Sequence, residues 1–190
     1  MTLTATATAL KEWSAAVHAL LLGRQYVLLR KGGIAEKRFE VASGEFLLFP
    51  TVAHSHAERV RPEHRDLLAA AADDSTEDHL VIRAAAKVVA ALQVNRPERL
   101  PEIEDMHIWT AESVRADRLD FRPKHKLAAL VVSVSPLVEP IRLPRTPEYG
   151  GCISWVQLPV RGSAAAPMHD PVHDETVLSA VAARVRDAIG

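Results

Sequence analysis

The sequence predicts a single α+β domain in which a mixed or partly closed β-sheet packs against several helices. Its 190 residues suffice to bury one hydrophobic core, and its hydrophobic content of 48% is that of an ordinary globular domain. Helix-like and strand-like segments interleave without the regular βαβ alternation of a doubly wound sheet. Length, composition and segment order therefore exclude a disordered or fibrous chain and favour the α+β class.

Apolar periodicity places the elements of the first half of the chain. Apolar side chains at steps of three and four predict an amphipathic helix, and short β-branched and aromatic runs predict strands. The predicted elements are a helix over residues 10–21 that Gly23 ends, strands over residues 25–31 and 45–49 with Pro50 ending the second, and a helix over residues 62–72 that Pro62 begins.

The segment from Leu80 to Val94 fits two periods. All eight of its even positions are apolar, which is the pattern of a strand. Five of its residues also form a helical stripe, and its alanines favour a helix. We predict a strand, because eight matches to a period of two outnumber five matches to a period of 3.6.

Capping and turn residues place the elements of the second half. Thr110 can cap a short helix, and Asp174 can cap an amphipathic one near the end of the chain. Pro140 cannot donate a backbone hydrogen bond, so we predict an edge strand or a bend around it. The predicted elements are a helix over 110–119, a buried strand over 127–134, an edge or bend over 137–143, a strand over 152–158, a flexible linker over 161–167 and a helix over 175–189. We accordingly expect an α+β domain over 1–158, followed by a linker and helix over 159–190.

The charge and composition of the chain limit the binding partners and the cellular compartment that we expect for the protein. The formal net charge of −1 excludes a protein that coats nucleic acid through bulk basicity. Charges interrupt every apolar run, so we expect no membrane partner, and the first residues lack the features of a secretory signal. Cys152 is the only cysteine, which excludes an internal disulfide and a thiolate zinc site. We expect a cytoplasmic protein, and the sequence leaves its oligomeric state open.

Two basic stretches form the first candidate site. The motif LRKGGI at residues 29–34 joins cations to glycines whose backbone N–H groups could meet a phosphate, and five Lys or Arg residues follow between residues 115 and 126. An acidic counterpart at residues 98–105 leaves open a solvated, partly self-paired surface, and a simple turn would also explain the glycines. The candidate phosphate-binding residues are Arg30, Lys31, Gly32, Gly33, Arg115, Arg118, Arg122, Lys124 and Lys126.

A second candidate site would gather polar and aromatic residues from separate loops. Histidine could act as a general acid or base, and cysteine as a nucleophile. The alternatives are a buried, unreactive Cys152 in a strand and tryptophans that pack in the core. The candidate pocket residues are His54, His107, Trp109, Tyr149, Cys152 and Trp155.

No motif in the chain predicts a cofactor or a metal. The P-loop and the dinucleotide fingerprint are both absent. His54 and His56, two residues apart, lack a fixed third ligand, and the HDPVHD stretch at residues 169–174 adjoins the predicted linker. We therefore predict neither a cofactor nor a metal site.

Four ordered blocks give the chain a resemblance to a known family. They are ALKEWSAAVHALLLGRQYVLLRKGGIAE at residues 9–36, FLLFPTVAHS at 46–55, HIWTAESVRADRLDFRP at 107–123 and EYGGCISWVQL at 148–158. Together they resemble the bacterial family catalogued as domain of unknown function 1802, with the tail after Pro159 outside the resemblance. Some members of that family occur with a restriction-endonuclease domain of the Mrr type, which implies a link to restriction and DNA defence.

The sequence itself tests whether the chain could be a nuclease of this type. Nucleases of the Mrr type need a (D/E)-x-K element to hold magnesium, and no lysine of this chain has an acid two places before it. The chain is therefore not expected to be the nuclease itself. We favour a nucleic-acid-associated accessory module, with two alternatives: an uncharacterised enzyme or small-ligand binder that uses the second candidate site, and a partner-binding scaffold without chemistry that uses the C-terminal helix.

Overall fold

The computed structural model describes residues 4–32, 39–161 and 166–190. The strands are β1 (Thr4–Trp13), β2 (Val27–Lys31), β3 (Glu45–Thr51), β4 (His79–Gln93), β5 (Leu127–Pro144) and β6 (Trp155–Arg161). The α-helices are α1 (Ser14–Leu21), α2 (His56–Arg59), α3 (Leu68–Asp73), α4 (Ala111–Val114) and α5 (Glu175–Ile189). Segments of 3-10 helix cover Pro62–Leu67, Pro97–Met106 and Pro147–Tyr149, and a π-helical turn covers Arg115–Asp120.

The strands form one open, mixed sheet. Their order across the sheet is β2-β5-β4-β3-β1-β6. Strands β1 and β3 run parallel, and the other neighbouring pairs run antiparallel. Among the described residues, no helix combines the length and apolar character of a membrane span. The predicted α+β class with a mixed sheet is confirmed.

The long strands β4 and β5 form the middle of the sheet. Segment 80–94, which fitted both periods, lies in β4, so the prediction of a strand is confirmed. The bend predicted around Pro140 is a bulge: Pro136 pairs with Ala84 and Ile141 pairs with Ile82, so residues 137–140 lie opposite one residue of β4. The extra residues let β5 keep its pairing with β4 on both sides of a proline that cannot donate a hydrogen bond.

The start of the predicted helix over residues 10–21 is wrong. Residues up to Trp13 belong to β1, and α1 begins at Ser14. Because β1 pairs with β3 on one edge and with β6 on the other, these nonlocal pairings outweigh the local helical period. The predicted end is confirmed, since Gly23 follows α1 with a φ of 71°, a conformation that suits glycine.

Other strand boundaries also differ from the prediction, and β2 begins at Val27, two residues after its predicted start. Strand β3 runs through Pro50 to Thr51, which is possible because its pairing with β4 ends at Leu47 and leaves that edge without a ladder. Strand β6 begins at Trp155, three residues after the predicted start at Cys152. The predicted helix after Thr110, the strand from Leu127 and the helix from Glu175 are confirmed. At the cap of α4, the Thr110 hydroxyl accepts a hydrogen bond from the Ser113 amide.

Helix α5 closes the hydrophobic core that β2 and β5 line. Its buried residues Leu178, Val185 and Ile189 share one apolar cluster with residues of both strands. The predicted cap is present: the Asp174 carboxylate accepts a hydrogen bond from the Val177 amide. Of the predicted linker over 161–167, residues 162–165 lie outside the described residues.

Truncating the buried face of α5 is expected to destabilise the whole domain. The change Leu178→Ala, at a side chain that is 2% exposed, should lower the free energy of unfolding by about 2–5 kcal/mol, because it leaves a cavity in the core. Urea denaturation measures this quantity. Val177→Ala, at the neighbouring exposed position, is the control and should change it by less than about 0.5 kcal/mol. Equal effects of the two changes would contradict the packing described for α5.

Candidate functional site

Lys31 joins the end of β2 to the segment that carries the second basic stretch. Its ammonium group donates to the backbone carbonyls of Arg118 at 2.5 Å and Leu119 at 3.3 Å, and to that of Phe121. These carbonyls belong to the last turn of the π-helical segment and the residue after it, where carbonyl groups lack helical partners. The two basic stretches predicted from the sequence therefore meet in space.

The turn at residues 121–126 is fixed at a second point. A ring nitrogen of His125 lies 3.2 Å from the carbonyl oxygen of the buried Gly32, and the His125 amide donates to the carbonyl of Arg122 at 2.9 Å. Gly33, the other candidate glycine, lies outside the described residues. We call residues 121–126 the basic turn.

Three of the predicted cations serve the interior of the protein. Arg30 donates to the carbonyl of Lys11 at 2.9 Å and lies 3.3 Å from the Glu12 carboxylate. Arg118 donates to the Leu29 carbonyl at 3.2 Å, and burial lowers its pKa. Together with Lys31, these side chains connect strands and turns.

Four other cations lie on the same segment, three of them exposed and Arg122 half-buried. Arg115, Lys124 and Lys126 are exposed and make no hydrogen bond or ion pair with any described residue. The Arg122 guanidinium lies 4.8 Å from the centre of the Phe121 ring, and that ring is itself exposed. We call Arg115, Arg122, Lys124, Lys126 and Phe121 the basic surface.

The second candidate site is not assembled. His107 and Trp109 are buried beside α5 and β2, whereas Tyr149 packs edge-on against Phe49 in a different core cluster. Trp155 packs against Phe46, in yet another cluster. His54 and Cys152 are exposed on the surface. These six residues therefore form no common pocket.

The expectation that Cys152 is buried in a strand is wrong. Its side chain is exposed, and it precedes β6 in the loop that follows Gly151. Gly151 has a φ of 79°, so the chain turns here before it enters the sheet at Trp155.

A buried carboxylate, which the sequence analysis missed, lies where the parallel strands β1 and β3 end. Glu12 is 3% exposed, and its carboxylate accepts from the Trp13 amide at 2.8 Å and from Arg30 at 3.3 Å. The Thr51 hydroxyl donates to the Glu12 carbonyl at 3.1 Å. A buried charge is stable only with such partners, so Glu12 and Arg30 stabilise each other in the interior. Nothing in the surrounding KEW sequence distinguishes Glu12 from a surface glutamate.

Aromatic rings pack beside this carboxylate. Trp13 lies 4.7 Å from His56 and 5.8 Å from Trp109, measured between ring centres. The Arg59 guanidinium stacks on Trp13 at 5.5 Å and binds the Asp117 carboxylate at 2.5 Å. The cavity beside these rings holds about 10 Å³, which is enough for no more than one water molecule. The rings therefore leave no space for a ligand.

A second buried carboxylate joins α1, α3 and β4. Asp74 is 1% exposed and lies 2.6 Å from a ring nitrogen of His18 and 2.7 Å from the Nε atom of Arg83. Burial alone would raise the pKa of Asp74, but the hydrogen bonds from His18 and Arg83 outweigh it and hold that pKa below its usual value. This arrangement stabilises the carboxylate form and fastens both helices to the sheet.

A cavity lies on one face of the sheet. Its volume is about 470 Å³, within the range of small-ligand sites. Hydroxyl groups of β1 and β5 and the cross-strand neighbours Glu45 and Lys87 line it, and none of the predicted site residues does. Within residues 4–32, 39–161 and 166–190, no three His, Cys, Asp or Glu side chains are grouped to hold a metal ion.

The buried histidines are expected to make stability depend on pH. Burial lowers the pKa of His56 and of His107 to about 4, and nearby arginines act in the same direction. In the unfolded chain, these histidines bind a proton below about pH 6.5. Their contribution to the free energy of unfolding is therefore complete above about pH 6.5 and decreases as the pH falls towards about 4. His107→Gln should therefore reduce the difference between the free energies of unfolding at about pH 7.5 and about pH 5.

The exposed His54 provides the matched control for this measurement. His54→Gln removes a histidine that water already solvates, so the pH dependence should stay that of the unchanged protein. Denaturant titrations of the three proteins at both pH values give the comparison. A full pH dependence in His107→Gln would show that His107 does not contribute to it.

The comparisons with known proteins concern nearly the whole chain. The family model for a domain of unknown function, DUF1802, matches residues 9–184. This match begins within β1, includes the strands from β2 to β6 and reaches into α5, beyond Leu158, where the resemblance was expected to end. No curated protein matches the chain. Because the matched residues cover most of the sequence, the chain belongs to the DUF1802 family, a domain of unknown function.

Proposed function

We propose that the protein binds nucleic acid through phosphate contacts of the basic surface. The observation that carries this proposal is the exposure of Arg115, Lys124 and Lys126 on one short segment, without a partner among the described residues. Lys and Arg side chains that neutralise phosphates release condensed counterions, and this release supplies most of the affinity of sequence-independent binding. Such binding would suit a module that accompanies a nuclease, the role that the family resemblance implies.

The nearest acidic stretch does not neutralise this surface. Glu102 pairs with Arg99 at 2.6 Å, and Asp105 pairs with Arg184 of α5 at 2.7 Å. Asp117, which lies on the segment of the basic surface, is bound by Arg59. These three carboxylates therefore have other partners. Glu112 and Asp120, on the same segment, are exposed and form no ion pair with a described residue, so they reduce the local positive charge of the four cations without removing it.

Because the protein as a whole carries almost no net charge, only the region around the exposed cations attracts a polyanion. With a formal net charge of −1, the whole molecule does not attract a polyanion. A group of cations on one short segment acts only within about a Debye length, roughly 8–10 Å at moderate salt. Binding should therefore be weak, sensitive to salt and oriented, with the basic turn towards the phosphates.

Removal of the exposed cations is expected to weaken binding and reduce its salt dependence. In a mobility-shift titration at low and moderate salt, the triple change Arg115→Ala, Lys124→Ala, Lys126→Ala should lower the affinity for duplex or single-stranded DNA. The slope of log K against log salt should become shallower by about 0.7–0.9 for each phosphate contact that is lost.

A second triple variant controls for net charge. Lys87→Ala, Arg142→Ala and Arg186→Ala remove three cations that are exposed on β4, on the far end of β5 and on α5. These changes should leave the affinity near that of the unchanged protein. Equal losses in both triple variants, or no binding by the unchanged protein at low salt, would refute the proposal.

A further inference from the structure

We infer that the basic surface takes single-stranded nucleic acid, with a base stacked on the Phe121 ring. This inference rests on the proposed phosphate binding and names the class of nucleic acid that the same surface prefers. It follows from three properties of the basic turn: an exposed aromatic ring, a strained backbone beside it and a fixed attachment to the sheet.

The Phe121 ring is open to solvent. Its side chain is 56% exposed, and it is the one aromatic residue among the large hydrophobic side chains found exposed in the described parts of the chain. The other described phenylalanines, Phe39, Phe46 and Phe49, are buried. A single exposed apolar side chain needs no explanation by itself. Here, however, the ring lies within a group of cations that lack carboxylate partners, which is the composition of surfaces that stack bases.

The backbone next to the ring is strained. Arg122 has a φ of 51°, and it is the one residue other than glycine with a positive φ in the described part of the chain. A side chain in this conformation costs roughly 1–3 kcal/mol, and such residues are frequent in ligand-binding segments. The Arg122 guanidinium lies over the Phe121 ring, 4.8 Å from its centre. The turn thus presents an aromatic ring with a cation over one face, and a base would stack on the other face.

Hydrogen bonds within the protein fix the basic turn in the absence of a ligand. The carbonyl of Phe121 itself accepts a hydrogen bond from Lys31, and the Phe121 amide donates to the Ala116 carbonyl at 3.2 Å. On the other side of the turn, His125 contacts Gly32 of the segment that follows β2. The backbone of a turn fixed in this way loses little conformational entropy on binding.

The geometry favours a single strand over a duplex. The cations of the basic surface lie on a π-helical turn of six residues and on the turn that follows it, so the surface offers no long helix to enter a major groove. In a duplex the faces of the bases are covered by their neighbours, whereas an unpaired base can stack on an aromatic ring. An open groove of about 420 Å³ adjoins the turn at Lys126. Phe39, Glu40 and Gln93 are among the residues that line it, so it could take the base of the next nucleotide while the phosphate stays outside.

The test separates stacking from phosphate binding. Fluorescence anisotropy would compare three labelled DNA probes: an oligothymidylate of about 12 nucleotides, an abasic strand of the same length and a duplex of the same length. The abasic strand keeps the phosphates and lacks the bases. We expect the oligothymidylate to bind roughly 10-fold more tightly than the abasic strand, since stacking of one base contributes a factor of this order.

Variants of the ring assign the preference to Phe121. Phe121→Ala should remove the preference for the oligothymidylate over the abasic strand. Phe121→Trp should retain the preference, because tryptophan also stacks on bases. The control Leu22→Ala removes a side chain that is 59% exposed at the end of α1, and it should behave like the unchanged protein.

The outcomes are distinct for the two proposals. If the unchanged protein binds the oligothymidylate and the abasic strand equally, or if Phe121→Ala keeps the preference, the stacking inference is wrong and the phosphate-binding proposal stands. If none of the three probes binds at low salt, the phosphate-binding proposal fails and the stacking inference fails with it.

Discussion

The basic surface depends on one contact, the binding of the Lys31 ammonium group by the carbonyls at the end of the π-helical turn. A lysine has three donor hydrogens, and the carbonyls of Arg118, Leu119 and Phe121 provide three acceptors. Burial lowers the pKa of Lys31, Arg118 adds to that effect and Asp120 opposes it. The ammonium group therefore has no donor left for a phosphate, and its role is to hold the turn against β2.

Cations that are close in sequence accordingly have opposite roles. Arg118 is directed inwards to the carbonyl of Leu29, whereas Arg115, one helical turn earlier, remains in solvent. The interior charges are balanced locally, as Arg30 and Glu12 show, and loss of either partner would leave an uncompensated charge in the core. Only the cations that the fold does not use can contribute to binding a polyanion, so the available surface is smaller than the sequence suggests.

The sequence predicted the elements whose pattern is local. The strand over residues 80–94, the Thr110 cap and the face of α5 follow from periodicity and capping, which neighbouring residues determine. Properties that depend on distant contacts were not predictable in this way. Lys31 and Phe121 are 90 residues apart, so no local pattern shows that one holds the other. The same holds for Glu12, since its burial depends on pairing with Arg30 and on the parallel neighbour β3.

The position of the basic surface follows from how the sheet protects its edges. An open sheet has two edge strands, and exposed edges invite pairing with other chains. The β2 edge is covered, because the Leu29 carbonyl accepts from Arg118 and the Tyr26 amide, just before β2, donates to Met106. On the β6 edge, Pro159 removes one backbone donor. The segment that covers the β2 edge is also the one that carries Arg115 and Phe121, so the same contacts that close the sheet place the basic surface on the outside of the molecule.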